Sequence, residues 1–140
     1  MIRPMRPDEE ATVRAIFRAC HPDYETKGPL WFFAHPTLVL DEGEILGWTS
    51  FTLSPTDRGY VAYLMDTCVR PDVQGKGYGR QLFDARQATV VGLGAVDSVG
   101  VAAPHNEPMN HLLESRGFLP INRIPDAFPS GEGVVWMKGS

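Results

Sequence analysis

The stretch Val69–Arg80, VRPDVQGKGYGR, constrains the fold more than any other part of this 140-residue chain. The segment before it, Tyr60–Val69, is rich in β-branched and aromatic residues and predicts a strand. The segment after it, Arg80–Val91, contains good helix formers without Gly or Pro and predicts a helix. The two are joined by glycines at alternate positions: Gly75, Gly77 and Gly79.

A glycine-rich turn that opens a helix is typical of a site for phosphate groups. Glycine permits positive φ angles and the close approach of a ligand. Several free backbone N–H groups then point toward one spot at the positive end of the helix dipole. Lys76 and Arg80 add positive charge beside the turn. The Walker pattern is absent, and a dinucleotide fingerprint starting at Gly75 would need glycine where Arg80 stands.

Composition bounds the class of protein. A chain of 140 residues with 43% hydrophobic residues is expected to form a single domain, residues 1–140, with its own core. The net charge of −4 argues against nucleic-acid binding by charge. No apolar run approaches the roughly 20 residues that span a bilayer, and the two cysteines are too few for a disulfide framework. We therefore expect a cytoplasmic protein, a monomer or homodimer, with no membrane, nucleic-acid or metal partner.

The N-terminal part of the chain predicts a strand and two helices. The strand is expected at Ile2–Met5, and Asp8 is expected to cap the first helix. A polar loop at His21–Pro29 and a short helix at Leu30–Ala34 follow. Helical spacing gives the first helix one apolar face, formed by Val13, Ile16, Phe17 and Cys20.

Strands joined by tight turns are expected next. Thr37–Leu40 and Glu44–Leu53 are joined through Gly43, and a second turn at Pro55–Gly59 leads to the strand that starts at Tyr60. These three strands form an antiparallel meander that ends at the glycine-rich turn.

The C-terminal part predicts strand, helix and two further strands. The first strand is expected at Asp97–Ala103, and the helix is expected to begin at Asn106 and end at Gly117. The buried face of that helix is formed by Met109, Leu112 and Leu113. The last two strands and the loop between them are expected at Phe118–Arg123, Val134–Lys138 and Ile124–Gly133, respectively.

Two separated motifs resemble the GNAT superfamily of acetyl-CoA-dependent N-acetyltransferases. One is Asn106–Phe118, NEPMNHLLESRGF, in which asparagine opens a helix and an aromatic residue follows a glycine. The other is Q-x-x-G-x-G behind V-x-P, carried by Val69, Pro71, Gln74, Gly77 and Gly79. The predicted order β-α-α-β-β-β-α-β-α-β-β also matches that family. The resemblance implies an α/β (α+β) fold with a mixed, mostly antiparallel central sheet flanked by helices.

The resemblance also implies acetyl-CoA (coenzyme A) as the cofactor. The end of the fourth strand would pair with the pantetheine arm through Thr67, Cys68 and Val69, and the N–H of Cys68 would polarise the acetyl carbonyl. Asn106 matches a position that often contacts the same arm, and it is also a plain helix cap. Backbone N–H groups would hold the pyrophosphate, supplied by Gln74, Gly75, Lys76, Gly77, Tyr78, Gly79 and Arg80.

The residues for proton transfer depart from the family pattern. Many members carry a tyrosine where this chain has Leu113, and a glutamate where it has Tyr63 or Met65. The carboxylate on the predicted strand is Asp66, which we take as the candidate general base. Strand alternation puts Asp66 on the face opposite Thr67 and Met65 unless a bulge re-aims it.

Other catalytic groups stay open at this point. His21 and His35 flank the acceptor loops and are alternative bases, as is water. A covalent route through an acetylated Cys68 is a further alternative.

We predict an acetyl-CoA-dependent N-acetyltransferase that acts by direct attack of a primary amine. The acceptor, a small-molecule or protein amine, is unknown. The missing tyrosine and glutamate leave a non-catalytic acyl-CoA-binding module as an alternative. An interaction domain without cofactor is a second alternative, and the complete Gly75–Gly79 loop argues against it.

Overall fold

The computed structural model describes residues 1–22, 35–128 and 130–139. The short helix predicted at Leu30–Ala34 and most of the loop predicted at His21–Pro29 lie outside the described residues.

The described residues form strands and helices in the predicted order. The strands are β1 (Ile2–Pro4), β2 (Thr37–Asp41), β3 (Ile45–Thr56), β4 (Gly59–Val69), β5 (Ala95–Ala102), β6 (Leu119–Phe128) and β7 (Gly131–Gly139). The helices are α1 (Glu10–Cys20), α2 (Tyr78–Gly92) and α3 (Glu107–Ser115), with short 3-10 turns at Pro7–Glu9 and Pro71–Val73. None of the helices in the described ranges is long and apolar enough to cross a bilayer.

The strands form a mixed, mostly antiparallel sheet, as predicted. Neighbours are hydrogen-bonded in the order β1-β2-β3-β4-β5-β7-β6. The pairs β1–β2, β2–β3, β5–β7 and β6–β7 are antiparallel. The pair β4–β5 is parallel, and parallel neighbours need a crossover connection, which α2 provides.

The contacts within the chain group it into two compact units. The first consists of Met1–Thr52 and Asp66–Thr89, and the second of Leu53–Met65 and Val90–Ser140. The glycine-rich turn and both cysteines belong to the first unit, whereas α3 and the last two strands belong to the second.

The core of the first unit confirms the apolar face predicted for α1. Val13, Ile16 and Phe17 are buried against β2, β3 and β4, and Cys20 packs partly buried at the edge of the same cluster. A second cluster forms around Leu82 of α2 and the start of the glycine-rich turn. The residues that the first cluster shares with the strands are Val39, Trp48 and Cys68.

The second unit is held by α3 and the pairing of β5 with β7. Leu112 and Leu113 are buried, as predicted, and Asn106 caps α3 by accepting the N–H of Met109 at 3.3 Å. The helix ends before Gly117, whose φ of +86° is in the left-handed region.

The predicted cap of the first helix is wrong. Asp8 lies within the 3-10 turn Pro7–Glu9, which begins with a proline because its fixed φ suits a first turn. The Glu9 carboxylate instead accepts the backbone N–H of Arg6 at 2.8 Å and pairs with Arg3 at 2.7 Å.

The prediction of a loop at Ile124–Gly133 is also wrong, because β6 continues to Phe128. Pro125 lies within this strand, in the stretch between the paired residues Ile124 and Phe128, and β6 is an edge strand, where proline is tolerated. The chain absorbs the irregularity by a register shift after Ile124, where Asp126 has a φ of 55°. Strand β3 likewise runs on to Thr56, beyond the predicted end at Leu53.

Candidate active site

The glycine-rich turn has the backbone conformation that its sequence predicts. Gly75 and Gly77 have φ angles of +83° and +87°, in the region that favours glycine. A Cβ added at Gly75 would meet nothing within 4 Å, and one added at Gly79 would meet only the Val69 Cγ2 atom, at 4.0 Å. The turn therefore has open space over its backbone, which suits the close approach of a ligand.

Helix α2 begins at Tyr78, earlier than the Arg80 predicted from the sequence. Gly79 and Arg80 therefore lie in its first turn, where backbone N–H groups lack helical acceptors. Lys76 and Arg80 are both exposed beside this helix end. Free N–H groups, the helix dipole and two cations together suit a pyrophosphate.

Two sets of hydrogen bonds fix the approach to the turn. The Gln74 side-chain amide donates to the Val69 carbonyl at 3.0 Å. The Arg70 N–H donates to the Leu46 carbonyl of β3 at 2.8 Å, and its guanidinium pairs with Glu44 and Asp72, each at 2.6 Å. Arg70 and Gln74, which precede the glycines, are thus bonded to β3 and to the end of β4, respectively.

The backbone of β4 alternates in direction at its end. The Cys68 carbonyl faces β3, because a Cβ added at Gly47 would come within 2.8 Å of its oxygen. In a regular strand the N–H of a residue points the same way as its carbonyl, so the N–H groups of Thr67 and Val69 point away from β3. The sequence predicts that the Cys68 N–H polarises the acetyl carbonyl. For a ligand on the side of β4 away from β3, the N–H groups of Thr67 and Val69 are better directed.

The two cysteine side chains lie against each other. The Cys20 thiol bonds to the Cys68 thiol and donates to the Val69 carbonyl at 3.1 Å. The bond from Cys68 lowers the pKa of Cys20 to about 7. The same contact, together with burial, raises the pKa of Cys68. Because a thiolate is the reactive form, this arrangement argues against a covalent route through Cys68.

Asp66 is held through its backbone by side chains of neighbouring elements. Its N–H donates to the Ser50 Oγ at 3.3 Å, and its carbonyl accepts the Thr49 hydroxyl at 3.0 Å. The Arg86 Nη1 lies 3.5 Å from the same carbonyl oxygen. The Thr49 hydroxyl also hydrogen-bonds to the Thr67 hydroxyl at 2.8 Å. Thr49 therefore holds both Asp66 and Thr67 of β4.

Burial raises the pKa of the Asp66 carboxyl, which is the direction a general base needs to work near neutral pH. Electrostatic interactions with His21, Arg86 and His35 oppose this effect on the Asp66 pKa. The structure therefore brings the candidate base and both alternative histidines within electrostatic reach of one another. Asp66, the carboxylate that the sequence analysis selected on this strand, is half-buried.

The remaining candidates lie in the second unit. Asn106 fulfils its cap role, as described above. Leu113, which stands where many relatives carry tyrosine, is 3% exposed and packs beside Gly100. Tyr63 and Met65, at the positions of the family's glutamate, are partly exposed.

Sequence reasoning missed the residues that hold Asp66. Arg86 was taken only as one good helix former among several, although it follows Leu82 by four positions and Phe83 by three on the buried stripe of α2. A charged residue on such a stripe was the available signal. Thr49 and Ser50 gave none, since polar residues in a strand usually face water.

Comparisons with known proteins agree with the fold. A sequence profile of the acetyltransferase (GNAT) family matches residues 5–118. A comparison with curated protein sequences found no match.

Solved structures share the fold at low sequence identity. The putative acetyltransferase YncA from Salmonella typhimurium, solved with its cofactor acetyl-CoA, is 21% identical with a TM-score of 0.81, over 99% of this chain and 92% of that chain. The ribosomal-protein-alanine N-acetyltransferase from Brucella melitensis is 15% identical with a TM-score of 0.82, over 100% and 99%. Arabidopsis thaliana NAA60, in complex with a bisubstrate analogue, is 12% identical with a TM-score of 0.83, over 99% and 97%.

The mixed, mostly antiparallel sheet flanked by helices defines the class of fold, which is that of the solved acetyltransferases. The profile match makes the assignment specific: the chain belongs to the acetyltransferase (GNAT) family. It is an acetyl-CoA-dependent N-acetyltransferase, as predicted, and the non-catalytic alternatives are not favoured.

Proposed function

We propose that the chain transfers the acetyl group of acetyl-CoA directly to a primary amine, with Asp66 as the general base. The observation that carries this proposal is the half-buried Asp66 carboxyl on β4, whose pKa is raised by burial and which lies on the strand that leads into the glycine-rich turn. No covalent enzyme intermediate is needed, and the raised pKa of Cys68 argues against one.

The open glycine-rich turn fits the pyrophosphate of acetyl-CoA. The backbone of Gln74–Arg80 would hold the phosphates, with Lys76 and Arg80 adding charge. The end of β4, Thr67–Val69, would align the pantetheine arm, and Asn106 is proposed to contact it as well. When bound, acetyl-CoA supplies an acetyl group activated as a thioester.

The chain's own contribution to chemistry is proton removal and orientation. A primary amine with a pKa near 10.4 is almost wholly protonated at pH 7 and must lose a proton before it attacks. Asp66 takes that proton, and the backbone N–H of Thr67 or Val69, which points away from β3, orients the acetyl carbonyl. Thiols have a pKa of about 8.5, so the thiolate leaves near neutral pH without a strong acid, consistent with Leu113 in place of tyrosine.

The acceptor is proposed to be a primary amine of a small molecule or of a protein, met in the cytoplasm. Both kinds of substrate occur in the names of the structural relatives: one is named a putative phosphinothricin N-acetyltransferase and another a ribosomal-protein-alanine N-acetyltransferase. The assay therefore covers small amines, aminoglycosides, amino acids and peptides.

The test measures coenzyme A release across this panel for the wild type and for Asp66→Asn. We expect Asp66→Asn to lower kcat/KM for the best amine by ~10²–10⁴ and to change the affinity for acetyl-CoA by no more than a few-fold. The deficit should shrink as the pH rises toward the amine pKa, because more amine is then already deprotonated. Asp57→Asn, an exposed carboxylate in the β3–β4 turn, is the matched control and should behave as wild type.

A loss that does not depend on pH, or no loss, removes Asp66 from the mechanism. The alternative bases are then His21 and His35, to be tested by His21→Asn and His35→Asn.

A further inference from the structure

Arg86 is a cation buried in the middle of α2. It is 2% exposed, and its guanidinium lies over the Phe83 ring, with 5.4 Å between the Cζ atom and the ring centroid. A charged side chain is rarely buried in this way unless a nearby group compensates the loss of water. Arg86 therefore calls for an explanation that packing alone does not supply.

The guanidinium contacts the two strands at the position of Asp66. Its Nη1 donates to the Ser50 carbonyl of β3 at 3.1 Å and lies 3.5 Å from the Asp66 carbonyl of β4. Ser50 in turn accepts the Asp66 N–H through its hydroxyl at 3.3 Å. Arg86, which belongs to α2, thus helps to fix the backbone of the candidate base Asp66.

Arg86 and Asp66 also interact through their charges. Asp66 opposes the lowering of the Arg86 pKa that burial causes, and Arg86 opposes the raising of the Asp66 pKa. Within residues 1–22, 35–128 and 130–139, the other titratable groups that interact electrostatically with Asp66 are His21 after α1, His35 before β2, and Cys68 on β4 itself. An arginine keeps its charge over the whole working pH range, whereas the charge of an imidazole depends on pH.

We propose that Arg86 is a positioning residue for the acetyl transfer: its guanidinium holds the backbone carbonyls of Ser50 and Asp66 and places a permanent positive charge beside Asp66. The inference rests on the proposed role of Asp66 as the base. This role accounts for a buried arginine on α2, the helix that follows the proposed phosphate site. It also predicts that the working pH of the enzyme depends on a residue that touches neither substrate.

The experiment compares two substitutions that separate charge from hydrogen bonding. Arg86→Gln removes the charge and keeps a donor, and Arg86→Lys keeps the charge. Arg58→Gln, at a 78% exposed arginine side chain in the β3–β4 turn, is the control for losing one positive charge elsewhere. Circular dichroism establishes that each variant is folded.

The readouts are the pH profile of kcat/KM and the titration of the Asp66 carboxyl carbon by NMR. In Arg86→Gln we expect the Asp66 pKa and the acidic limb of the profile to move together to higher pH, by about one unit. We expect kcat to fall with the KM for acetyl-CoA unchanged within about threefold. Arg86→Lys and Arg58→Gln should keep the wild-type limb.

Each result decides the proposal. An unchanged Asp66 titration in Arg86→Gln overturns it, while the proposed function stands as long as Asp66→Asn still loses activity. A titration that moves without the kinetic limb shows that Asp66 is not the base, and the proposal falls with that assignment. Should Arg86→Gln not fold, Arg86→Lys carries the test: a limb that moves although the charge is kept contradicts the proposal.

Discussion

At the scale of single residues, the glycine-rich turn depends on backbone conformations that other residues adopt at a cost. Gly77 has a φ of +87°, and Gly43, in the β2–β3 turn, has a φ of +91°. Alanine at either position has a similar strain of about 1–2 kcal/mol. The two glycines differ in surroundings: a Cβ at Gly77 lies 3.4 Å from the Arg80 guanidinium, whereas one at Gly43 meets nothing within 4 Å.

We predict that Gly77→Ala and Gly43→Ala lose similar stability but differ in ligand binding. Gly77→Ala should weaken acetyl-CoA binding by about tenfold or more, because its methyl group intrudes on the proposed pyrophosphate space. Gly43→Ala should bind as wild type. Chemical denaturation measures the stability and calorimetry the affinity. Equal affinity in the two variants would place the phosphates elsewhere.

At the scale of elements, an ion network joins β1, the first 3-10 turn and β2. Arg3 pairs with Glu9 at 2.7 Å and with Asp41 at 3.1 Å. The hydrogen bond from Arg3, followed by that from the Arg6 N–H, lowers the pKa of Glu9 to about 2 from an ordinary value of 4.5. A carboxyl whose pKa is lower in the folded state stabilises the fold above its unfolded pKa and loses that effect as the pH falls.

We predict that Glu9→Gln destabilises the protein at pH 7, and that the difference from wild type shrinks below pH 4.5 and disappears near pH 2. Denaturant unfolding at pH 7, 4 and 2.5 measures the difference. Glu114→Gln, an exposed carboxylate on α3, serves as control. A difference that stays constant over this range would mean that Glu9 acts through packing.

The elements were largely predictable because their signals are local. The caps, turns and apolar spacing that define α1, α2 and α3 are each contained in a few neighbouring residues, and the structure follows them. The exceptions are equally physical: Pro125 ends no strand because β6 is at an edge, and Pro7 starts a 3-10 turn that shifts the cap.

The candidate site was predictable only where it is local. The glycine-rich turn is one continuous stretch, and the conformations of its glycines are predictable from its sequence. The surroundings of Asp66 were not predictable, because they come from elements far apart in the chain: Thr49 and Ser50 on β3 and Arg86 on α2. Sequence spacing carries no information on which distant side chains meet a given carbonyl.

At the scale of the whole molecule, the family profile ends at Phe118, but the fold does not. Strands β6 and β7 follow, and β7 pairs with β5 over Asp97–Ala102. The solved relatives cover 99% or more of this chain, so these strands are part of the shared fold.

We predict that acetyl-CoA and coenzyme A both stabilise the protein. A ligand that binds only the folded state at 100 times its Kd adds about 2.7 kcal/mol, which corresponds to a rise of roughly 5–10 °C in Tm for a chain of this size. Thermal unfolding with each ligand measures the rise. Pantetheine, which lacks the pyrophosphate, is the control and should give a smaller shift. The absence of any shift at millimolar coenzyme A would contradict the cofactor assignment.

Each of the two units contains a buried tryptophan, and these two residues are intrinsic fluorescence probes. Trp48 is fully buried in the first unit, and Trp136 is 8% exposed in the second, with its Nε1 donating to Asn110. Replacing Trp31, which lies outside the described residues, with phenylalanine leaves these two as emitters. A further Trp48→Phe or Trp136→Phe then lets fluorescence follow unfolding around the remaining tryptophan, with no label attached.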